Sequence, residues 1–341
     1  MTIDAPIVVT GAAGWLGSQL VKHLVVNDAQ RLRALILPGQ DGDALRALSS
    51  RVEVLSGDIR DSGDCEALCE GMQGGVAFHT AGVIHPSRVK DFFNINVQGT
   101  RNLLEAASAA GLRRIVALSS NSPCGCNPHP DHLFDEEASY HPYMSYGRSK
   151  MMMEQAVHEY QRSGQIETVI VRAPWFYGPG QPPRQTLFFT MVRQGKGPIV
   201  GPGTNLRSMA YTENTAEGLR LAGFHPSASG QVYWIADERP YSMNEILDTI
   251  ESLLEKEFNL PVAHRRLRLP GLASELALAV DWAVQSVGLY HQKLHVLSEM
   301  NKTIACTVEK ARQELGYAPR IALEEGMRRS IAWCLKNGHR I

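Results

Sequence analysis

A glycine-spaced turn caught between a strand and a helix constrains this chain more than any other feature. Ile7-Val8-Val9-Thr10 is a β-branched run of buried-strand type, and Gly11-Ala12-Ala13-Gly14-Trp15-Leu16-Gly17 follows at once. A helical pattern then runs from about Trp15 to Val26. Glycines at such a junction permit a tight turn and close backbone approach, and the free N–H groups of the helix start favour an anion such as a pyrophosphate. The spacing is Gly-x-x-Gly-x-x-Gly, not the commoner Gly-x-Gly-x-x-Gly. An ordinary glycine-rich turn is the alternative, and the strand before and helix after weigh against it.

The rest of the first half repeats the alternation. Strands are expected at Leu32 to Leu37, Val52 to Leu55, Gly75 to His79, Arg114 to Leu118 and Thr168 to Arg172. Helices are expected at Val97 to Ala110 and Tyr146 to Arg162. Strand–helix alternation of this kind gives an α/β fold, a doubly wound parallel sheet of the Rossmann type. From Ala173 the texture changes: Pro174, Pro179, Pro182, Pro183, Pro198 and Pro202 mark a loop-rich insert suited to holding a substrate. Glu213 to Phe224 reads as a helix and Gln231 to Ile235 as one more strand, with amphipathic helices at about Met243 to Glu255 and Leu323 to Lys336. The expected organisation is a dinucleotide-binding Rossmann domain over 1–172, to which 206–237 returns. Residues 173–205 and 238–341 would form a smaller, discontinuous C-terminal substrate-binding domain.

Composition narrows the function classes. The 341 residues are 44% apolar and 20% charged, as in a soluble globular enzyme, and the net charge of -1 gives no footprint for nucleic acid or an anionic membrane. Met1 to Val9 has no basic n-region, so no signal peptide is expected. The longest apolar run, Leu272 to Leu289, is broken by Glu275 and Asp281, so no integral membrane segment is expected. The basic stretch before that run could still touch a membrane surface, against which the two acids count. Six cysteines without secretory context read as reduced thiols of a cytoplasmic protein.

The chemistry lies further along. Tyr146 and Lys150 are four residues apart on an expected helix, so phenol and ammonium share one face. A neighbouring ammonium favours phenolate and is expected to lower the tyrosine pKa, making a useful acid/base. Ser119-Ser120 ends the preceding strand. Asp58, at the carboxyl edge of the third strand, could accept from an adenine amino group or cap the next helix. The second strand ends Ile36-Leu37-Pro38-Gly39 with no charge at its tip; Asp41 nearby tilts the cofactor toward NAD over NADP.

Taken together, these residues resemble the extended short-chain dehydrogenase/reductase superfamily, which holds nucleotide-sugar epimerases, dehydratases and 3β-hydroxysteroid dehydrogenases. Thr10 to Gly17 is similar to its glycine motif, Gly57-Asp58-Ile59-Arg60-Asp61 to its adenine-side element, and His79-Thr80-Ala81-Gly82 to the loop under the nicotinamide ribose. Asn96-Val97-Gln98-Gly99-Thr100, Ser119-Ser120, Tyr146/Lys150, Arg172 to Gly180 and Arg207 to Asn214 continue the match, the last with Thr212 and Glu213 in place of Val and Asp. The resemblance implies Ser120, Tyr146 and Lys150 as catalytic. It implies Gly11, Gly14, Trp15, Leu16, Gly17, Asp58, Ile59, Thr80, Ala81, Gly82, Asn96, Lys150 and Pro174 as cofactor-binding. Tyr146 would exchange the oxygen-bound proton, Lys150 hold the ribose hydroxyls, and Ser120 orient the substrate oxygen, with no metal. A homodimer across the Val97–Ala110 and Tyr146–Arg162 helices is likewise implied.

Other candidates carry alternatives. His85, Trp175, Phe176, Arg184 and Arg207 are the expected substrate contacts: His85, with Arg88, at the pocket rim, and the arginines as a diphosphate clamp. Trp175, Phe176 and Tyr177 suit a core equally well. The segment Cys124 to His132 holds two thiols and two imidazoles, yet reads better as a mobile loop lining the pocket than as a zinc site. Cys65 and Cys69 are expected at the surface or half-buried, and Met151, Met152 and Met153 in helix packing. A nucleotide sugar is narrowly favoured as substrate. A 3β-hydroxysteroid, sterol or flavonoid-type molecule is the alternative, because the C-terminal part lacks the Arg-x-Gly-Asp element of many sugar-nucleotide members. A non-catalytic dinucleotide sensor is the remaining reading, against which the retained Tyr146 and Lys150 argue.

Overall fold

The computed structural model describes residues 4–27 and 29–341. Its strands are β1 Ile7–Thr10, β2 Leu32–Ile36, β3 Val52–Ser56, β4 Val76–His79, β5 Arg114–Ser119, β6 Glu167–Arg172, β7 Trp175–Tyr177, β8 Pro198–Val200, β9 Leu206–Arg207, β10 Met209–Tyr211, β11 Val232–Trp234, β12 Tyr241–Ser242 and β13 Leu267–Leu269. Its helices are α1 Trp15–Val26, α2 Asp43–Arg46, α3 Ser62–Cys69, α4 Val89–Phe93, α5 Thr100–Ala109, α6 Met144–Ser163, α7 Pro183–Arg193, α8 Thr212–Phe224, α9 Met243–Ser252, α10 Leu272–Ser286, α11 Gln292–Glu299, α12 Glu309–Leu315 and α13 Leu323–Lys336.

Seven strands form one parallel sheet in the order β11-β6-β5-β4-β1-β2-β3. Strands covered on both faces need apolar residues at every position, which is why Ile7, Val8 and Val9 alternate with nothing polar and are all fully buried. One face packs against α1, α8 and α12, the other against α3, α5 and α6. The strand order reverses between β1 and β4, so their carboxyl ends open a crevice at the switch point. The chain leaves this sheet after β6 and rejoins it at β11. In between and beyond, β7 pairs with β10, β8 with β13 and β9 with β12, over a third core that includes Ile246, Leu247, Met327 and Ile331.

Three expectations need correction. The helix expected over Val97–Ala110 begins as a π-helical segment, Asn94–Gly99, and only then becomes α5; the α9 helix likewise ends in π-helical Leu253–Glu257. The wider turn accommodates an extra residue, and here Asn96 and Gly99 both face inward. Cys65 and Cys69 are fully buried rather than surface thiols, because four-residue spacing on α3 turns both toward the core shared with α5. Burial pushes both thiols up to about 12. The Cys124–His132 segment is pinned rather than loose. Asn127 N donates to Thr303 O at 3.0 Å, Asn127 Nδ2 reaches Ala305 O, and Phe134 N donates to Ala305 O. Among the described residues no group of three His, Cys, Asp or Glu side chains is arranged to hold a metal.

Candidate active site

The glycine turn is built for close approach. Gly11 has φ +68°, and a Cβ there would lie 2.7 Å from Ala81 N. A Cβ on Gly17 would lie 2.0 Å from Gly11 O, so the first turn of α1 can sit on the loop only without a side chain. Gly14 caps α1 with no side-chain acceptor, leaving the helix-start N–H groups available for an anion. This cradle fits a dinucleotide pyrophosphate. Leu16 is buried beneath it. Trp15 does something the sequence did not suggest: its Nε1 donates to Pro179 O at 2.9 Å and its ring meets Phe176 edge-on. The cofactor helix is thereby tied to the insert that follows β6, next to buried Pro174.

Asp58 stands at the carboxyl end of β3, but it is not a helix cap. Asp61 caps α3, accepting from Gly63 N and Asp64 N. Asp58 instead accepts from Arg60 N and Nε, each at 2.9 Å, and the Arg60 guanidinium holds its carboxyl below the usual range. Ile59 is buried against Gly99, and its carbonyl accepts from Asn102 Nδ2. Asp41 is exposed and accepts from Asp43 N at the start of α2.

The β4 loop lies beside the glycine turn. Thr80 Oγ1 donates to Thr10 O at 2.7 Å, and Ala81 N to Thr10 Oγ1. Asn96 is buried with its amide fully engaged: Oδ1 accepts from Val83 N, and Nδ2 donates to Val83 O and Ser149 Oγ. It therefore clasps the Thr80–Val83 loop, close by Gly82, to helix α6 rather than pointing at a ligand. Ser149 Oγ in turn donates to Tyr146 O at 2.8 Å.

Helix α6 brings Tyr146 to the end of β5. Gly147 allows this, because a Cβ there would meet Ser122 O at 2.4 Å. Met144, two residues before the tyrosine, has φ 54°, a left-handed backbone rarely held by such a side chain. Ser120 is close enough to the Tyr146 phenol to counter part of its upward shift, and its Oγ bonds Asn121 Oδ1 and receives Ser122 N, each at 3.3 Å. Tyr146 is half-buried, and desolvation pushes its phenol up to about 12. This overturns the expected lowering by Lys150, which is not among the charges acting on it. The ammonium points elsewhere: Nζ donates to Leu118 O at 2.7 Å and to Met153 Sδ. Burial lowers Lys150 to about 8, opposed by Glu154. Of the three methionines, Met153 is thus both core and lysine contact.

Beneath the site lies a buried pair absent from the sequence reading. Glu154, fully buried, accepts from Arg172 Nη2 at 2.8 Å, Ser119 Oγ at 2.5 Å and Tyr140 OH at 2.9 Å. Its position one helical turn after Lys150 was the available signal. Over Tyr146 sit Phe92, with ring centroids 5.7 Å apart, and beyond it Tyr290, 5.2 Å from Phe92. His85 Nδ1 bonds Tyr290 OH at 2.7 Å, and burial drives its imidazole down to about 3, so His85 is neutral. Arg88 bridges backbone to Leu289. Nothing in the sequence marked Tyr290.

Arg184 is at the mouth, near enough for its charge to act on both Tyr146 and Tyr290. Arg207 lies over the Trp175 ring, its centre 6.0 Å from the centroid, and its buried Nε has no hydrogen-bond partner. Trp175 also meets Phe188. Tyr177 is core, its hydroxyl donating to buried Asp237 at 2.5 Å. Phe176 packs between Trp15 and the first core.

A Rossmann sheet with a phosphate cradle at the switch point and a Ser/Tyr/Lys group beside it defines a dinucleotide-dependent enzyme of the extended short-chain dehydrogenase/reductase type. The chain belongs to the NAD dependent epimerase/dehydratase family, which it matches over residues 7–236. It is 51% identical to the uncharacterized protein y4nL of Sinorhizobium fredii (strain NBRC 101917 / NGR234), covering 99% of this chain and 98% of that one. It is 29% identical to 3beta-hydroxysteroid-dehydrogenase/decarboxylase isoform 1 of Arabidopsis thaliana, over 95% of this chain and 78% of the relative. The fold matches UDP-glucuronic acid 4-epimerase from Bacillus cereus in complex with NAD, with a TM-score of 0.77, 23% identity, and 97% and 99% of the two chains covered.

Proposed function

We propose that this chain carries out hydride transfer at a secondary alcohol or ketone carbon, with Ser120, Tyr146 and Lys150 as the reacting group. The observation that carries it is the meeting of the β5 end with α6, which makes the Ser120 hydroxyl a near neighbour of the Tyr146 phenol in a desolvated corner. NAD or NADP, when bound, supplies the hydride exchange. Gly11, Gly14, Trp15, Leu16 and Gly17 would hold its pyrophosphate, Asp58 and Ile59 its adenine side, and Thr80, Ala81, Gly82 and Pro174 its nicotinamide side.

With its phenol near 12, Tyr146 stands protonated at neutral pH and is poised to give its proton to an alkoxide forming on the substrate. Ser120 donates to the same oxygen and fixes its direction. Running as an oxidation, Tyr146 must first lose its proton to solvent so that its phenolate can take the proton of the substrate hydroxyl as the hydride leaves for the nicotinamide. A cation favours that phenolate, and Lys150, on the same helix face, would supply it by turning its ammonium from Leu118 O.

The substrate reading is a nucleotide sugar. Arg207, with a buried Nε left without an acceptor, and Arg184 at the mouth are suited to a diphosphate. A hydroxysteroid-type substrate is the second reading, supported by the Arabidopsis relative and by the ring wall of Phe92 and Tyr290. The test is Tyr146→Phe. We expect turnover to fall by about 10²–10⁴-fold while dinucleotide affinity, read by NADH fluorescence, is retained. Unchanged turnover on UDP-, GDP- or dTDP-sugars and hydroxysteroids would sink the assignment.

A further inference from the structure

Helix α10 is amphipathic in the wrong sense for a surface helix. Its buried positions are Ser274, Ala277, Asp281 and Gln285. Its outward positions include Leu272, Leu276, Val280 and Trp282, and Val287 and Leu289 continue the face into the turn before α11; Trp282 is 66% and Val287 72% exposed. Half of the large apolar side chains facing solvent among the described residues fall between 272 and 296. That concentration exceeds the scattered exposure expected of any protein surface.

The orientation is fixed from inside. Asp281 Oδ2 accepts from Gln285 Nε2 and bonds His295 Nδ1, both at 2.9 Å, with Asp281 fully buried. Ser274 Oγ donates to Leu297 O, and Tyr143 OH to Ser298 Oγ, both at 2.8 Å. Rolling the hairpin to hide its leucines would break all of these bonds together, so the network fixes which face turns inward. The outer face therefore stays apolar and needs a cover.

Charge selects the cover. Between Leu276 and Leu289 the only charged residue is buried Asp281. Exposed Arg265 and Arg268 before the helix and Lys293 after it make no ion pair among the described residues, whereas Glu275 is neutralised by Lys302. An apolar stripe flanked in the sequence by free cations, Arg265 among them beside Gly195, complements an anionic lipid surface. A second copy laid on the same face would oppose the cations to themselves. No described helix is long and apolar enough to cross a membrane, and α10 has 15 residues, so the helix lies in the interface plane. We infer that the α10–α11 hairpin docks this protein on an anionic lipid surface. The near-zero net charge conceals this local arrangement. A groove of about 610 Å³ beside Trp282 runs along Leu278 and Ala279 to Tyr143 and Met144, so the docked face adjoins the start of the helix that carries Tyr146.

The experiment is vesicle co-sedimentation with phosphatidylcholine alone and with phosphatidylglycerol added. We expect binding to the anionic vesicles, weakened by salt, with a blue shift of tryptophan emission that Trp282→Ser removes. Leu276→Ser with Val280→Ser should lower vesicle affinity about tenfold or more. Arg265→Gln with Arg268→Gln should remove the preference for phosphatidylglycerol. Unchanged thermal melting of these exposed-site variants verifies that they fold. No sedimentation with either vesicle overturns the inference, as does binding indifferent to Leu276 and Val280. A dimer in light scattering that Leu276→Ser abolishes, without vesicle binding, overturns it in favour of a second copy. None of these readouts uses turnover, so their failure leaves the Tyr146 reading untouched.

Discussion

Glu154→Gln tests the foundation of the site. The substitution keeps the shape of a fully buried side chain that accepts from Arg172, Ser119 and Tyr140, but removes its charge. Arg172, 3% exposed and already holding Nη1 without a partner, is then a buried cation with no counter-charge. Breaking a buried pair from one side costs about 3–5 kcal/mol. Unfolding entropy of about 2.1 cal/mol/K per residue gives roughly 0.7 kcal/mol/K for 341 residues, so the melting temperature should drop by about 4–7 °C. The same loss reaches the chemistry. Glu154 holds the Lys150 pKa up against burial, so without it Lys150 deprotonates at a pH below the present value of about 8. An activity that depends on charged Lys150 then falls away at lower pH. Differential scanning calorimetry of the cofactor-free protein and the pH profile of kcat/KM read the two effects separately. A melting temperature within about 1 °C of the parent, with an unmoved alkaline limb, would refute the reasoning.

Gly17→Ala places a Cβ against Gly11 O at 2.0 Å, and the expected result is an NADH Kd raised about tenfold or more; an unaltered fluorescence titration contradicts the cradle. His79, bonded to Thr10 and Thr100 and fully buried, is driven down to about 3 from 6.5. Between those values the unfolded chain binds the extra proton, so stability is lost as pH falls from 6.5 toward 3, by about 1.4 kcal/mol per pH unit for this group. His79→Gln should flatten part of that acid slope in melts at successive pH; an identical slope removes His79 as its source.

The sheet was legible because a parallel strand covered on both faces must be apolar throughout, and Ile7-Val8-Val9 or Val169-Ile170-Val171 leave no other reading. Gly11 and Gly17 were legible because their spacing sits between such a strand and a helix. What escaped depends on partners distant in sequence. Asp58 is engaged by Arg60 and so less free for adenine than its place at the strand end suggested. Lys150 shares the helix face of Tyr146, yet its ammonium bonds Leu118 O, since spacing fixes a face and not the direction of a long flexible chain. Cys65 and Cys69 were misjudged because a short helix with few apolar residues hides which side is inward. Tyr290 reaches the site only because the α10–α11 hairpin folds back over Phe92, and no local pattern announces that.

The late return of the chain to its own sheet has a consequence during synthesis. β6 gains its outer neighbour only when Val232–Trp234 arrives, after residues 173–231 have been made. At ribosomal speed that interval is roughly 3–12 s. Throughout it, the backbone groups of Val169, Ile170 and Val171 present an open, strongly apolar edge to any neighbouring nascent chain. Trp234, whose N and Nε1 donate to Glu136 Oε1 and Asp135 O, is the latch that closes this edge onto a segment already emerged. A chain ending short of that latch would hold a complete phosphate cradle and an adhesive flank.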